Sequence, residues 1–304
     1  MTGAVSLVAA FVAAPALLQA QELTWSGSVD YAAGSYVFDE RFTTFSLFNS
    51  LSWRAGRLSL TGSLPIVAQN GTAISLVAGV PIPTGGPDNG TVARRQSGQT
   101  IGGRSGRGPR GTARRASFAA AVAADTLTDS LTVAGTGSYE VRVADPTFGA
   151  TFTAFEGEGA LRALDIAGWA KAPVATVESG VGTGAWDYGA GASLTLGAGE
   201  TLLFADATWW VLGDMPDLVL EDALFYSGAV GRRLGRDWSM LASVAASTRI
   251  VASVDPPVSV GLSLSRGVGR RASFSAGASV GLSESASSIA VNLGWSTNLL
   301  GGAR

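Results

Sequence analysis

Hydrophobic and polar residues alternate along most of the chain after residue 22. The alternation is clearest over 258–265, 272–280 and 289–296, where apolar residues take turns with Ser, Gly and Asn. Successive residues of a β-strand point to opposite faces of a sheet, so a period of two predicts strands with one apolar face. No apolar stripe of helical spacing follows the first 20 residues, and the pattern therefore indicates an all-β protein.

The alternating segments predict about twelve strands, within a range of about 10–14. They run for about 10–13 residues, whereas a strand of a globular protein has about five or six. A tilted strand that crosses a membrane needs about 9–11 residues. Strand length therefore predicts a transmembrane up-and-down antiparallel β-barrel. The predicted strands are 23–33, 42–53, 58–67, 147–155, 160–172, 184–196, 201–211, 223–234, 238–251, 258–268, 272–281 and 288–298.

Short turns and longer connections alternate between these strands. The turns are rich in Gly, as at 54–57 and 197–200, while the longest connection runs over 68–146. In an outer-membrane barrel the tight turns face the periplasm and the long loops face the exterior. The connection 68–146 is thus predicted to be a long outer loop, and it leaves room for two more strands at 72–80 and 129–141.

An apolar stretch opens the chain, from Ala4 to Leu18. It is shorter than the about 20 residues that a transmembrane helix needs. The small residue Ala20 follows it, directly before a polar start, as is typical of a signal-peptide cleavage site. We therefore expect residues 1–20 to be a signal peptide and residues 21–304 to form a barrel in the bacterial outer membrane.

The segment 84–116 has a different composition from the rest of the chain. Gly, Ser, Thr and Pro dominate it, and it contains seven arginines and one aspartate. This composition predicts a disordered basic part of the long outer loop. Outer-membrane lipid and lipopolysaccharide are the expected partners, because arginine fits phosphate groups. Nucleic acid is not expected, since no aromatic residues are interleaved with the arginines.

The overall composition excludes much enzyme chemistry. The 304 residues include no cysteine and no histidine, and 14% are charged, against about 25% in an ordinary soluble domain. A Ser-His-Asp triad and a cysteine nucleophile are therefore excluded, as are the commonest metal ligands. We expect no enzymatic activity, no metal and no cofactor.

Strand alternation also predicts which charged side chains line the lumen. Leu164 and Ile166 are assigned to lipid, for example, so Asp165 between them faces inward. A charged side chain in the lipid costs about 2–4 kcal/mol for Arg or Lys at the midplane. The lumen-facing positions are either solute contacts or a salt-bridge network that fills a narrow barrel. The candidates are Asp30, Asp165, Trp169, Lys171, Phe204, Asp206 and Arg249.

One stretch resembles a known family. Lys171-Ala172-Pro173 precedes Gly182-Thr183-Gly184-Ala185-Trp186-Asp187-Tyr188-Gly189, and this order is similar to the Lys-x-Pro and Gly-Thr-Gly-x-x-Asp-x-Gly motifs of the outer-membrane transporter family named for the meta-pathway of phenol degradation. The resemblance implies an outer-membrane barrel that transports a solute. It singles out Pro173, Gly182, Thr183, Gly184, Asp187 and Tyr188 as a functional loop.

Two functional hypotheses follow from the sequence. The first is a channel for passive uptake of a small solute, hydrophobic or aromatic. The second is a surface or adhesion barrel that transports nothing and acts through its outer loops, chiefly 68–146 and 212–222. The identity of the solute and the oligomeric state stay open.

Overall fold

The computed structural model describes residues 21–38, 40–89, 92–93 and 139–300. The predicted signal peptide at 1–20 and the part of the basic segment from 94 to 116 lie outside these residues. No helix within the described ranges is long and apolar enough to cross a membrane.

Twelve long strands form a closed antiparallel barrel, which confirms the predicted fold class. Each wall strand pairs with its neighbours along the chain, and β1 closes the ring by pairing with both β2 and β15. The wall strands are β1 (Gln21–Gly34), β2 (Phe42–Ala55), β3 (Leu58–Gln69), β7 (Thr147–Glu156), β8 (Leu161–Lys171), β9 (Asp187–Ala198), β10 (Thr201–Val211), β11 (Ala223–Arg233), β12 (Trp238–Ser247), β13 (Val258–Val268), β14 (Ala272–Gly281) and β15 (Ile289–Leu300). Three short strands, β4 (Ile74–Val77), β5 (Val80–Pro83) and β6 (Glu140–Val143), lie between β3 and β7.

The outer surface of the barrel is apolar. Leu262, Phe274 and Leu293 are each 56% exposed, and Leu262 and Leu293 lie near the middle of their strands. Their neighbours Ser263, Ser275 and Gly294 are less exposed and face the lumen. Large apolar side chains at mid-strand are stable in this arrangement when lipid surrounds the barrel.

Aromatic side chains gather on the outer surface near both ends of the wall. Trp25 and Trp238 lie near the short turns, and they are 40% and 41% exposed. Trp186 and Tyr188 stack at the end that carries the long connections, with ring centroids 6.0 Å apart. Aromatic rings prefer the headgroup level of a membrane, so the two groups delimit the span that crosses it.

A small hairpin, β4–β5, occupies the lumen. All four residues of β4 are buried, and Val77 is 0% exposed. The hairpin tip at Ala78 and Gly79 shares a cavity wall with Ser63 and Thr208, which are lumen-facing residues of β3 and β10. The connection between β3 and β7 therefore does more than form an outer loop, because residues 74–83 fold into the barrel.

The barrel wall is interrupted between β6 and β7. Both strands pair with β3, which bonds to β7 over Leu58–Ser63 and to β6 over Ile66–Gln69. The break between them is Ala144-Asp145-Pro146, where proline lacks the N–H that a continuous ladder needs. On its other side β6 has no partner strand among the described residues, since β8 ends at Lys171.

The connections at the long-loop end pack into an apolar cap. Its buried residues come from the hairpin and from the connections after β10 and β12. The cap is built chiefly from Val77, Ile82, Leu212, Met215, Leu218, Leu220, Ile250, Val251 and Val254. Burial of so many aliphatic side chains closes much of this end of the barrel.

One predicted strand ends earlier than the sequence indicated, and this changes one candidate. The segment 238–251 forms a strand only as far as Ser247. Alternation with Arg249 in the predicted strand assigns Ile250 to the lipid face, but Ile250 is 3% exposed and belongs to the apolar cap. Arg249 is exposed beyond the end of the strand, so the prediction that it faces the lumen from a strand is wrong. The alternation of polar and apolar residues continues beyond Ser247 because Ile250 packs into the apolar cap, not because the strand continues.

Candidate functional site: the lumen

A buried ionic cluster lies in the barrel where β7, β8 and β9 begin or end at the long-loop end. The Lys171 Nζ atom lies 3.0 Å from Asp145 Oδ2 and 3.0 Å from Asp187 Oδ2. It also donates a hydrogen bond of 2.7 Å to the Thr183 hydroxyl. The side chains of Lys171 and both aspartates are at most 3% exposed. One ammonium group therefore compensates two buried carboxylates.

The cluster fixes two connections that are distant in the sequence. Asp145 Oδ1 accepts hydrogen bonds from the backbone N–H groups of Val174 (2.8 Å) and Ala175 (2.7 Å). Asp187 Oδ1 accepts one from the Gly213 N–H at 3.0 Å. Asp145 thus anchors the connection after β8, and Asp187 anchors the connection after β10. These bonds hold both connections over the lumen.

Most residues of the resemblance motif belong to this cluster. Lys171, Thr183 and Asp187 contribute its polar atoms. Gly182 has no room for a side chain, because a Cβ atom would lie 2.9 Å from Asp145 Oδ2. Gly184 has a φ angle of +71°, which glycine adopts without strain. In this chain the motif residues therefore form and surround the ionic cluster. Pro173 leads from Lys171 into the segment that Asp145 anchors.

Tyr188 does not join this cluster. Its side chain is 54% exposed and stacks on Trp186 on the outer surface. The strand period explains the difference, because Asp187 and Tyr188 are adjacent in β9 and point to opposite faces.

Three other candidates bring carboxylates to the lumen. Asp30 accepts hydrogen bonds from Ser28 (2.6 Å) and Asn292 (2.5 Å), and Asp165 accepts one from Thr153 (2.7 Å). Asp206 accepts one from Ser227 at 3.1 Å. None of the three forms a salt bridge with any residue that the structure describes. Their negative charges are therefore left without a basic partner within the described barrel.

Asp165 and Asp206 lie at the same level of the wall. Ser193 of β9 is the register partner of Asp165 on one side and of Asp206 on the other. Side chains at paired positions point to the same face of a sheet. The two carboxylates therefore flank the Ser193 hydroxyl on the lumen side.

The two aromatic candidates also face inward. Trp169 lines a cavity together with Lys171 and Trp210. Its ring lies flat against the wall over Gly149, where a Cβ atom would come within 2.1 Å of the ring. Phe204 lies nearer the short turns, beside Gly231 of the neighbouring strand. Glycine in the adjacent strand makes room for the ring in both cases.

Two cavities flank the hairpin inside the barrel. The larger of the two, of about 450 Å³, lies between the hairpin and strands β1, β2 and β11–β15. The other, of about 360 Å³, lies between the hairpin and strands β2, β3, β8 and β10. Both have Phe48, Leu76 and Gly79 in their walls, so the hairpin tip separates them. No cluster of three or more potential metal-ligating side chains occurs in the described part of the chain.

Sequence reasoning missed several residues of this site. Asp145 as a ligand of Lys171 and the buried hydroxyl residues Thr44 and Ser46 were not among the candidates. Of the two additional strands for which 68–146 leaves room, the one at 129–141 lies outside the described residues apart from 139–141. The one at 72–80 is observed as part of a hairpin of two short strands, Ile74–Val77 and Val80–Pro83. Nothing in a strand pattern reveals that such a hairpin folds inward.

Comparison with known proteins identifies the fold but not a family. No family model matches the chain, and no curated protein sequence matches it. Among solved structures, an outer membrane channel from Pseudomonas putida F1 is similar, with a TM-score of 0.56 and 11% sequence identity, over 95% of this chain and 100% of that one. The CymD monoaromatic hydrocarbon channel has a TM-score of 0.45 and 10% identity, over 93% and 90% of the two chains.

The fold and the apolar exterior together define the class of protein. A closed, even-numbered antiparallel barrel with an apolar outer band and aromatic residues at both ends is the architecture of the bacterial outer membrane. The chain is an outer-membrane β-barrel. The similar channel from Pseudomonas putida F1 supports this fold and leaves the family unassigned.

Proposed function

We propose that the protein is a passive outer-membrane channel for a small solute that is hydrophobic or aromatic. The observation that carries the proposal is the pair of cavities within the barrel, whose walls combine aromatic and aliphatic side chains with small hydroxyls. Such mixed walls are typical of sites for small, largely apolar molecules. A barrel of twelve strands is also wider than the about eight-stranded barrels that side chains fill completely.

The similar solved structures support the same proposal. One is described as an outer membrane channel. The route for an apolar solute is the lumen around the hairpin, with the interruption beside β6 as a second point of access from the lipid. Val141 and Val143 of β6 are 71% and 48% exposed there, so the rim of the interruption is apolar.

A second candidate function is a surface barrel that transports nothing. The observation that favours it is the apolar cap, which packs the long connections over one end of the lumen. Contact of the basic segment with lipopolysaccharide stays a prediction that fits either function.

The test is solute flux through the purified, refolded protein in liposomes, after heat-modifiable gel mobility has shown that the barrel is folded. Ser193→Trp places a large ring in the lumen between Asp165 and Asp206. Ala192→Trp is the matched control, because Ala192 is exposed on the outer surface of the same strand.

The channel predicts flux of a neutral aromatic solute that falls several-fold in Ser193→Trp and stays at the wild-type rate in Ala192→Trp. Absence of flux from a folded barrel, including one that lacks residues 84–116, would reject the channel in favour of the surface barrel.

A further inference from the structure

The larger cavity has one apolar face and one polar face. Phe48, Leu76, Pro81 and Phe225 contribute the main apolar groups. Among the described residues, the polar face consists of hydroxyls on several strands and a single carboxylate, that of Asp30, and none of the lining residues is a lysine or an arginine. An amphipathic wall of this kind fits a molecule with an apolar body and one polar end.

Two hydroxyls on the polar face have no hydrogen-bond partner in the described part of the chain. Thr44 and Ser46 are 4% and 6% exposed, and both line the cavity. Neither side chain makes a hydrogen bond with any residue that the structure describes. Both residues line the cavity, so their hydroxyls are available to donate a hydrogen bond to a molecule bound there or to accept one from it.

Asp30 completes the polar face beside them. It is the register partner of Ser46 across β1 and β2, which places their Cβ atoms about 4.5–5.5 Å apart. Ser28 donates to one carboxylate oxygen and Asn292 to the other. Each oxygen has about two acceptor positions, so the carboxylate retains the capacity to accept a further hydrogen bond from a ligand.

We infer that this cavity binds the polar end of a small uncharged alcohol, whose hydroxyl group donates a hydrogen bond to the Asp30 carboxylate and accepts one from Ser46 or Thr44. The apolar body of the alcohol lies against Leu76, Pro81 and Phe225. A ketone of the same shape accepts but does not donate, and a carboxylate is repelled by Asp30, which no described lysine or arginine of the cavity wall offsets. This inference rests on the proposed function, since the channel is what brings the solute to the cavity.

The test is isothermal titration calorimetry of the protein in lipid nanodiscs, with empty nanodiscs as the blank. The probes are cyclohexanol, cyclohexanone and cyclohexanecarboxylate, which share one apolar body. The expected result is that cyclohexanol binds about tenfold more tightly than cyclohexanone, as one additional hydrogen bond to a charged acceptor allows. Cyclohexanecarboxylate is expected to bind too weakly to detect.

Variants locate the site. Ser46→Ala and Thr44→Val remove hydroxyls that make no hydrogen bond to a described residue, so the barrel is expected to fold normally while its affinity for cyclohexanol falls several-fold. Asp30→Asn is expected to reduce the preference for cyclohexanol over cyclohexanone. The matched control is Ser263→Ala, which removes a lumen-facing hydroxyl of β13 that does not line the cavity.

The outcomes separate this site from the channel. Equal binding of the three probes, or equal loss of cyclohexanol binding in Ser46→Ala and Ser263→Ala, would overturn the site even if the barrel conducts solute. Selective binding of cyclohexanol that depends on Ser46 and Asp30, in a barrel that conducts nothing, would support the site and reject the channel.

Discussion

Lys171 supplies the positive charge of the buried ionic cluster. Its side chain is 2% exposed, and its Nζ atom lies 3.0 Å from both Asp145 Oδ2 and Asp187 Oδ2. Neither of these oxygens accepts a hydrogen bond from any other group among the described residues. The desolvation of all three charges is offset only while the cluster is complete. The complete cluster therefore fixes the position of the connections, while its net contribution to the free energy of unfolding is small.

Replacement of this lysine is expected to be strongly destabilising. Lys171→Met leaves two buried carboxylates uncompensated, a change that typically costs about 3–5 kcal/mol. The measurement is the midpoint of urea-induced unfolding in detergent, followed by tryptophan fluorescence. Lys171→Met combined with Asp187→Asn should recover part of the loss, because it removes one of the two charges.

A matched control distinguishes this effect from a general loss of charge. Arg270 lies exposed in a turn, and Arg270→Met is expected to leave the unfolding midpoint near the wild-type value. A midpoint for Lys171→Met equal to that of Arg270→Met would mean that the cluster contributes nothing to stability.

At the scale of the element, each wall strand has one lipid face and one lumen face. Leu262 and Ser263 are neighbours in β13, and Leu262 is 56% exposed on the outer surface. An arginine at mid-membrane costs about 2–4 kcal/mol, whereas the lumen admits a charged side chain. Leu262→Arg should therefore reduce the yield of folded barrel in a refolding assay far more than Ser263→Arg. Similar yields for the two variants would contradict the assigned faces.

The β4–β5 hairpin is the element that narrows the lumen. Its tip includes Ala78 with a φ angle of +49°, which is unfavourable for a residue with a Cβ atom. A hairpin that persists with this strain is held by its contacts, which include the hydrogen bond from the Leu76 N–H to the Val181 carbonyl.

Removal of the hairpin is expected to open the lumen. Replacement of residues 74–83 by a short Gly-Ser linker removes the wall that separates the two cavities. Single-channel conductance in a planar bilayer should then rise several-fold, while heat-modifiable mobility shows an intact barrel. Unchanged conductance would indicate that the solute path does not pass the hairpin.

The wall strands could be predicted from the sequence because their signal is local. A strand with lipid on one side alternates along its own length, as 272–280 does, and β14 is observed at Ala272–Gly281. The hairpin and the cap could not be predicted in the same way, because their apolar residues are buried by distant segments. Ile250 shows the limit, since its apolar side chain fitted the strand pattern although it packs into the cap.

The site was predicted in part for the same reason. Asp165 and Asp206 follow from alternation within one strand, and the structure brings them to one level through Ser193. Asp145 could not be assigned to Lys171, because the pairing depends on a wall interruption that no periodicity reveals. Arg249 was assigned wrongly because the end of a strand is a tertiary property.

At the scale of the whole molecule, the charges in the middle of the lumen are unbalanced. Asp30, Asp165 and Asp206 are lumen-facing carboxylates on three different strands, and none has a salt-bridge partner within the described barrel. Lys171, by contrast, is compensated by two aspartates. Carboxylates in a confined lumen attract cations and repel anions, as rings of Asp and Glu do in cation channels.

The open barrel is therefore expected to prefer cations over anions. The measurement is the reversal potential of the hairpin-deleted barrel in a planar bilayer under a potassium chloride gradient. Asp206→Asn should lower the ratio of potassium to chloride permeability, because it removes one of the two charges that flank Ser193. Glu200→Gln, in the turn between β9 and β10, is the matched control and should leave the ratio unchanged. Higher salt should weaken the preference, since the Debye length falls from about 10 Å at 0.1 M to about 3 Å at 1 M. An anion-selective barrel, or equal effects of the two variants, would show that charges other than these carboxylates set the field along the solute path.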